Sequence, residues 1–279
     1  MKSSATRLYN FSAGPAVLPV PVLEQAQREL ISLPGVGMSV LEVSHRSKPF
    51  EDILARTEAD IRALAGIPAN YRVLFLQGGA SLQFTMVPMN LLAAGATADY
   101  LLTGVWATKA ADEAKKIGDV HIAATTKAEQ FTRIPRTEEI VLTPNAAYVH
   151  MTSNNTIYGT QWKELPIVGD VPLVSDTSSD MFSRPIDISR HALIYSGAQK
   201  NLGPAGVTLV IIREDLLAKS AASLPAMLSY AVHAEANSME LPVSGTLVVW
   251  MQVGRSDSDA AMLAGLSASA CRLPLMSGS

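Results

Sequence analysis

Ala192-Leu193-Ile194-Tyr195-Ser196-Gly197-Ala198-Gln199-Lys200-Asn201-Leu202-Gly203-Pro204-Ala205-Gly206-Val207-Thr208-Leu209-Val210-Ile211-Ile212 sets a lysine in a turn of small residues between two apolar runs. Ala192 to Tyr195 and Val207 to Ile212 read as buried strands. A lysine in a turn is most often a solvated surface residue. One bracketed by small residues between buried strands instead points its amine into the space that the strand ends share. A Schiff-base lysine would sit there.

Outward from this turn the chain alternates strands and helices. Pro21 to Ser32 reads as an amphipathic helix with Val22, Leu23, Ala26 and Leu30 on one face, and Phe50 to Ala65 as another with Ile53, Leu54, Ile61 and Leu64 periodic. Tyr71 to Leu76 reads as a buried strand that ends in Gln77-Gly78-Gly79-Ala80-Ser81, followed by a helix from Leu82 to about Leu92. Further strands are expected at Asp99 to Thr103, Ala147 to Met151 and Pro172 to Ser175, and a helix at Thr108 to Lys116. Several of these strands are apolar without alternation, the signature of a mostly parallel sheet covered on both faces. Such α/β sheets bind ligands beyond the carboxyl ends of their strands. The polar clusters after Leu76, Thr103, Met151, Ser175 and Tyr195 are therefore expected to converge on one crevice.

The bulk composition agrees. The chain has 279 residues, 48% hydrophobic and 17% charged, enough to bury a sizeable core. A net charge of -3 gives no reason to expect nucleic acid or an anionic membrane as partner. Cys271 stands alone, so no intrachain disulfide is possible, and a reducing, cytoplasmic setting is expected. The first fifteen residues lack the apolar core of a signal peptide, and no run of about 18 apolar residues suggests a membrane span.

Taken singly, the polar clusters have bland readings: Asp176 before Thr177-Ser178-Ser179 suits a turn, Gly78-Gly79 a tight turn, Trp106 a core position. Pyridoxal phosphate explains them together. Lys200 would form an imine with its aldehyde. Asp176, at a neighbouring strand end, would face the pyridine nitrogen and keep it protonated, because the charged ring is the electron sink. Backbone N–H groups of Gly79-Ala80-Ser81, opening a helix, suit the phosphate. Trp106 would cover the ring, and the Thr156 hydroxyl could reach its oxygen.

The residues carry a specific resemblance at this point. Asn10-Phe11-Ser12-Ala13-Gly14-Pro15, Glu42-Val43-Ser44-His45-Arg46-Ser47, Phe75 to Phe84, Ser153-Asn154-Asn155-Thr156-Ile157-Tyr158-Gly159, Ser183 to Asp187 and the Lys200 turn through Leu216 resemble the phosphoserine aminotransferase family. The likeness runs from about Leu8 to Met239. It implies the class-V, fold type I architecture of pyridoxal phosphate enzymes: a mostly parallel, seven-stranded-type sheet sandwiched by helices. It implies amino transfer between glutamate and 3-phosphohydroxypyruvate, giving phosphoserine and 2-oxoglutarate, in serine biosynthesis. A second substrate, the phosphorylated four-carbon analogue of vitamin B6 biosynthesis, stays open. By the same resemblance, Lys200 and Asp176 are the catalytic pair, while Ala80, Ser81 and Gln199 hold the cofactor phosphate. Trp106 stacks on the ring and Thr156 bonds its phenolic oxygen. Arg46 binds a substrate carboxylate with His45 beside it. A planar bidentate cation is also what a dianionic amino acid requires. Family sites are built at a subunit interface, so a homodimer is implied.

The likeness ends abruptly. Residues 1–239 read as the cofactor-binding large domain. Residues 240–279, which contain no Lys, His, Phe, Tyr, Ile or Asn, read as an aberrant tail in place of the family's small C-terminal domain, as a shifted reading frame would give. Two alternatives therefore stand beside phosphoserine transamination: a weak or dead cofactor-binding fragment of that enzyme, and another class-V aminotransferase.

Overall fold

The structure, a computed structural model, describes residues 7–237. The expected domain boundary at Met239 and the tail lie outside the described residues. Among the described residues nine strands form: β1 (Tyr71–Leu76), β2 (Thr97–Leu102), β3 (Asp119–Thr125), β4 (Val149–Thr152), β5 (Asn154–Asn155), β6 (Thr160–Gln161), β7 (Leu173–Asp176), β8 (Leu193–Gly197) and β9 (Thr208–Arg213). The α-helices are α1 (Val20–Ile31), α2 (Lys48–Ala65), α3 (Gly79–Leu91), α4 (Val105–Ala114), α5 (Glu214–Leu217) and α6 (Tyr230–Glu235).

Seven strands make one sheet in the order β1-β9-β8-β7-β4-β2-β3, and β5 and β6 make a separate two-stranded ribbon. β8, β7, β4, β2 and β3 run parallel, whereas β9 is antiparallel to both β8 and β1. The link from β8 to β9 is the lysine turn. It is shorter than the dozen or more residues that a parallel crossover needs, so β9 must return alongside β8. With β9 reversed on both sides, β1 points the same way as the parallel strands. The carboxyl ends at Leu76, Leu102, Thr152, Asp176 and Gly197 thus lie along one edge, as the sequence leads one to expect.

Each face of the sheet has its own apolar core. On one face α3 and α4 pack with Leu74, Tyr100, Tyr148, Val174, Tyr195 and Tyr230. On the other, Phe50, Ile53, Leu54 and Ile61 of α2 meet Val73, Phe75, Ile194, Leu209 and Ile211. Beyond α2 that face is closed by irregular chain: Ile134, Leu142 and Val168 cover Leu101, Val149, Met151 and Leu173. Each fully buried aliphatic side chain contributes about 1.5–3 kcal/mol.

Two helices begin earlier than their apolar periodicity suggests. α3 starts at Gly79 after the left-handed Gly78 (φ 83), and α4 at Val105 after Gly104; neither cap residue offers a side-chain hydrogen bond. Glycine caps lack the Ser/Thr/Asp/Asn signal that marks a helix start. Ala80, Ser81 and Trp106 consequently lie in first turns. α2 follows the usual punctuation, with Pro49 in its first turn and the left-handed Gly66 (φ 61) at its end. Leu64 of α2 and Leu23 and Leu30 of α1, expected on packed faces, are exposed.

Candidate active site

The lysine turn is pinned from several directions. Ala198 N–H donates to Val207 O at 2.9 Å, and Leu202 and Gly203 N–H return to Ala198 O at 3.1 and 2.9 Å. Asn201 Nδ2 donates to Met181 O at 3.2 Å, and the buried Leu202 anchors the turn in the α2-side core. Half-buried Lys200 is thereby held with its Nζ 6.0 Å from the centre of the Trp106 ring. Lys109, one turn on in α4, brings a second ammonium 4.9 Å from the same ring. The N-terminal motif closes the other side of the lysine stem. Ala16 N–H donates to Gln199 O at 2.8 Å, and a β-carbon at Gly14 would stand 3.4 Å from Lys200 Cγ.

Asp176 ends β7, 4% exposed, beside Tyr195 of β8 and Thr152 of β4 in register. Ser178 gives its Oδ1 two hydrogen bonds, from the backbone N–H at 2.9 Å and from the hydroxyl at 2.6 Å. Oδ2 has no hydrogen-bond partner among the described residues. Burial pushes the carboxyl pKa up; the Ser178 bonds and the Lys200 charge pull it back, and Asp180 adds to the rise. Behind Asp176, His150 Nε2 lies 2.8 Å from the Tyr195 hydroxyl. Burial lowers the His150 pKa to about 3, and raises that of Tyr195 well above its usual range. The wall behind the carboxyl is therefore uncharged at ordinary pH.

Two of the residues expected to take a phosphate, Gln199 and Ala80, meet at Gly197. A β-carbon there would stand 3.0 Å from Gln199 Oε1 and 3.6 Å from the Ala80 backbone nitrogen. The space between the end of β8 and the start of α3 is thus a cradle that any side chain at 197 would fill. The first N–H groups of α3 open into it without a side-chain cap, the arrangement that favours an anion. A lysine beside an indole face, a buried carboxyl with one free oxygen and this cradle fit the aldehyde, ring nitrogen and phosphate of pyridoxal phosphate.

Three expected residues stand apart. Thr156 is exposed in the turn between β5 and β6, and among the described residues no hydrogen bond ties it to the cluster. Its ribbon is nonetheless clamped: Asn154 Nδ2 donates to Ser179 Oγ at 2.8 Å, Ser179 Oγ to Asn154 O at 2.9 Å, and Gln161 Nε2 and Ser153 Oγ to the buried Asp180. His45 and Arg46 occupy the turn before α2, with Arg46 exposed and His45 Nε2 buried without a partner. Sequence reasoning missed Ser178, whose signal was the Asp-Thr-Ser spacing of a side-chain-to-backbone turn. It also missed Asn155, which donates to Thr103 Oγ1 at 2.7 Å and packs where a β-carbon at Gly104 would lie, ahead of Trp106.

The class that this fold and site define is that of the class-V aminotransferases. Residues 8–231 match the family described as Aminotransferase class-V, and the chain belongs to it. It is 59% identical over 232 residues to phosphoserine aminotransferase of Herpetosiphon aurantiacus, covering 83% of this chain and 64% of that protein. To the enzyme of that name from Geobacillus kaustophilus it is 54% identical over 233 residues, covering 84% of this chain and 64% of the relative. The solved phosphoserine aminotransferase of Bacillus circulans subsp. alkalophilus superimposes with a TM-score of 0.87 at 47% identity, over 94% of this chain and 73% of that one. The PLP-bound phosphoserine aminotransferase of Trichomonas vaginalis gives a TM-score of 0.84 at 36% identity, over 88% and 74%. The chain spans 64% of the length of the curated relatives it matches.

Proposed function

We propose that this chain binds pyridoxal 5'-phosphate and carries the amino-transfer chemistry of a phosphoserine transaminase, between L-glutamate and 3-phosphohydroxypyruvate. The observation that carries this reading is the meeting of Lys200, Trp106, Asp176 and the Gly197 cradle at one sheet edge. The names and cofactor of its relatives support it.

When bound, the cofactor supplies an electron-withdrawing ring beside the substrate's amino group. Lys200 Nζ would hold the aldehyde and move the proton at the substrate's α-carbon. Asp176, with Oδ1 taken by Ser178, keeps Oδ2 for the ring nitrogen. The α3 N-terminus and Gln199 would hold the phosphate, and Trp106 would cover the ring and exclude water. Thr156, on its clamped ribbon, is assigned to the ring oxygen. Arg46 is assigned to a substrate carboxylate, with His45 orienting it. A homodimer and a cytoplasmic location belong to the same proposal; among the described residues no helix is long and apolar enough to cross a membrane.

The test is a single turnover of the full chain loaded with pyridoxal phosphate and mixed with glutamate. Release of 2-oxoglutarate, and of phosphoserine once phosphohydroxypyruvate follows, supports the proposal. Cofactor uptake without 2-oxoglutarate marks a binding chain that does not turn over. No uptake overturns the reading.

A further inference from the structure

Ser178 sits between the two groups that the proposed chemistry needs most. Its hydroxyl lies 2.6 Å from Asp176 Oδ1 and 3.0 Å from the backbone nitrogen of Gly197, where the lysine turn begins. While the carboxyl is charged, the directions of these bonds are forced. An amide N–H can only donate, so Ser178 Oγ accepts from Gly197 and gives its single proton to Asp176. The Ser178 backbone N–H also donates to Oδ1, at 2.9 Å. Oδ1 is therefore an acceptor twice over and has no room for a proton of its own. With both bonds intact, a proton added to this carboxyl rides on Oδ2, the oxygen with no hydrogen-bond partner among the described residues.

We propose that Ser178 is a positioning residue that confines the Asp176 proton to Oδ2 and ties that carboxyl to the lysine turn. Its value for catalysis rests on the cofactor reading above; its effect on Asp176 does not. The other groups facing the carboxyl are Lys200 from the lysine turn, Asp180 from the segment after β7, and Tyr195 of β8 backed by His150 of β4. Of these, Lys200 favours the charged form and Asp180 opposes it. Losing the Ser178 bonds leaves burial less opposed, so Asp176 should take up its proton at higher pH.

The test uses the cofactor-free full chain. Melting temperature is followed against pH for wild type, Asp176→Asn, Ser178→Ala and the double variant. Wild type should gain on Asp176→Asn as pH falls through the raised Asp176 pKa. In Ser178→Ala that gain should set in about one pH unit higher, the loss expected for a charge-assisted hydrogen bond. Ser178→Thr should restore the wild-type midpoint, and Ser178→Val, its isostere without a hydroxyl, should not. This pair also decides the matter where the alanine variant does not fold. An unmoved midpoint in Ser178→Ala or Ser178→Val overturns the proposal, as does a shift that persists with Asn at 176. Failure of the cofactor reading shows separately, as a wild-type chain that takes up no pyridoxal phosphate.

Discussion

His150 Nε2 lies 2.8 Å from the Tyr195 hydroxyl, and Tyr195 is the β8 register partner of Asp176. The imidazole also stacks on Tyr100, with ring centres 4.8 Å apart. Burial alone lowers its pKa from 6.5 to about 3, so the folded chain holds it neutral while the unfolded chain charges it below 6.5. A depressed folded pKa contributes stability above 6.5 that is lost as pH falls towards 3. At about pH 5 that loss is roughly 2 kcal/mol. His150→Gln, which can keep a bond to Tyr195, should lose less melting temperature than wild type between about pH 7 and pH 5. His191, also lowered by burial, acts in both proteins and cancels. Equal slopes would contradict the account.

Gly197→Ala tests the phosphate cradle. The added methyl would stand 3.0 Å from Gln199 Oε1 and 3.6 Å from the Ala80 nitrogen. The end of the glutamine side chain can swing aside, so the chain should still fold. Affinity for pyridoxal phosphate should fall about tenfold, the equivalent of about 1.4 kcal/mol, through lost phosphate contacts. Binding of unphosphorylated pyridoxal should change little, and titration of both compounds separates the two effects. An equal loss for both would place the phosphate elsewhere.

Arg46 carries the substrate assignment. Its guanidinium is exposed ahead of α2, so Arg46→Ala should leave the fold and cofactor uptake as they are. Removing a charge-assisted pair costs about 1.5–3 kcal/mol, so the single-turnover kcat/KM for glutamate should drop about 10- to 100-fold. An unchanged kcat/KM would remove Arg46 from the site.

The apolar strands were legible because β1, β7, β8 and β9 are short unalternating runs bounded by turn residues, which only a two-sided core explains. β3 was not, because Asp119-Val120-His121 mixes charge into an edge strand that is buried on few sides. Nor did the sequence announce that β9 is reversed; that follows from the short link through Lys200. Helix starts at Gly79 and Val105 were hidden by glycine caps, although they decide where Ala80 and Trp106 sit. At the site, Lys200 and Asp176 were picked out because each was read at the end of a strand, whereas Gln199 was named from resemblance. Ser178 was not, since a serine two residues past an aspartate usually closes a turn and nothing more. Arg46 was named from resemblance and Thr156 from the reach of its hydroxyl to the ring oxygen; among the described residues no side-chain hydrogen bond ties either to the cluster.

The most direct measurement maps the lysine that captures the cofactor. The full chain is loaded with pyridoxal phosphate, reduced with borohydride, digested and read by mass spectrometry. The account predicts one reduced pyridoxyl adduct, on Lys200, absent from Lys200→Ala. An adduct on Lys109 or another lysine, or none on any, would contradict it.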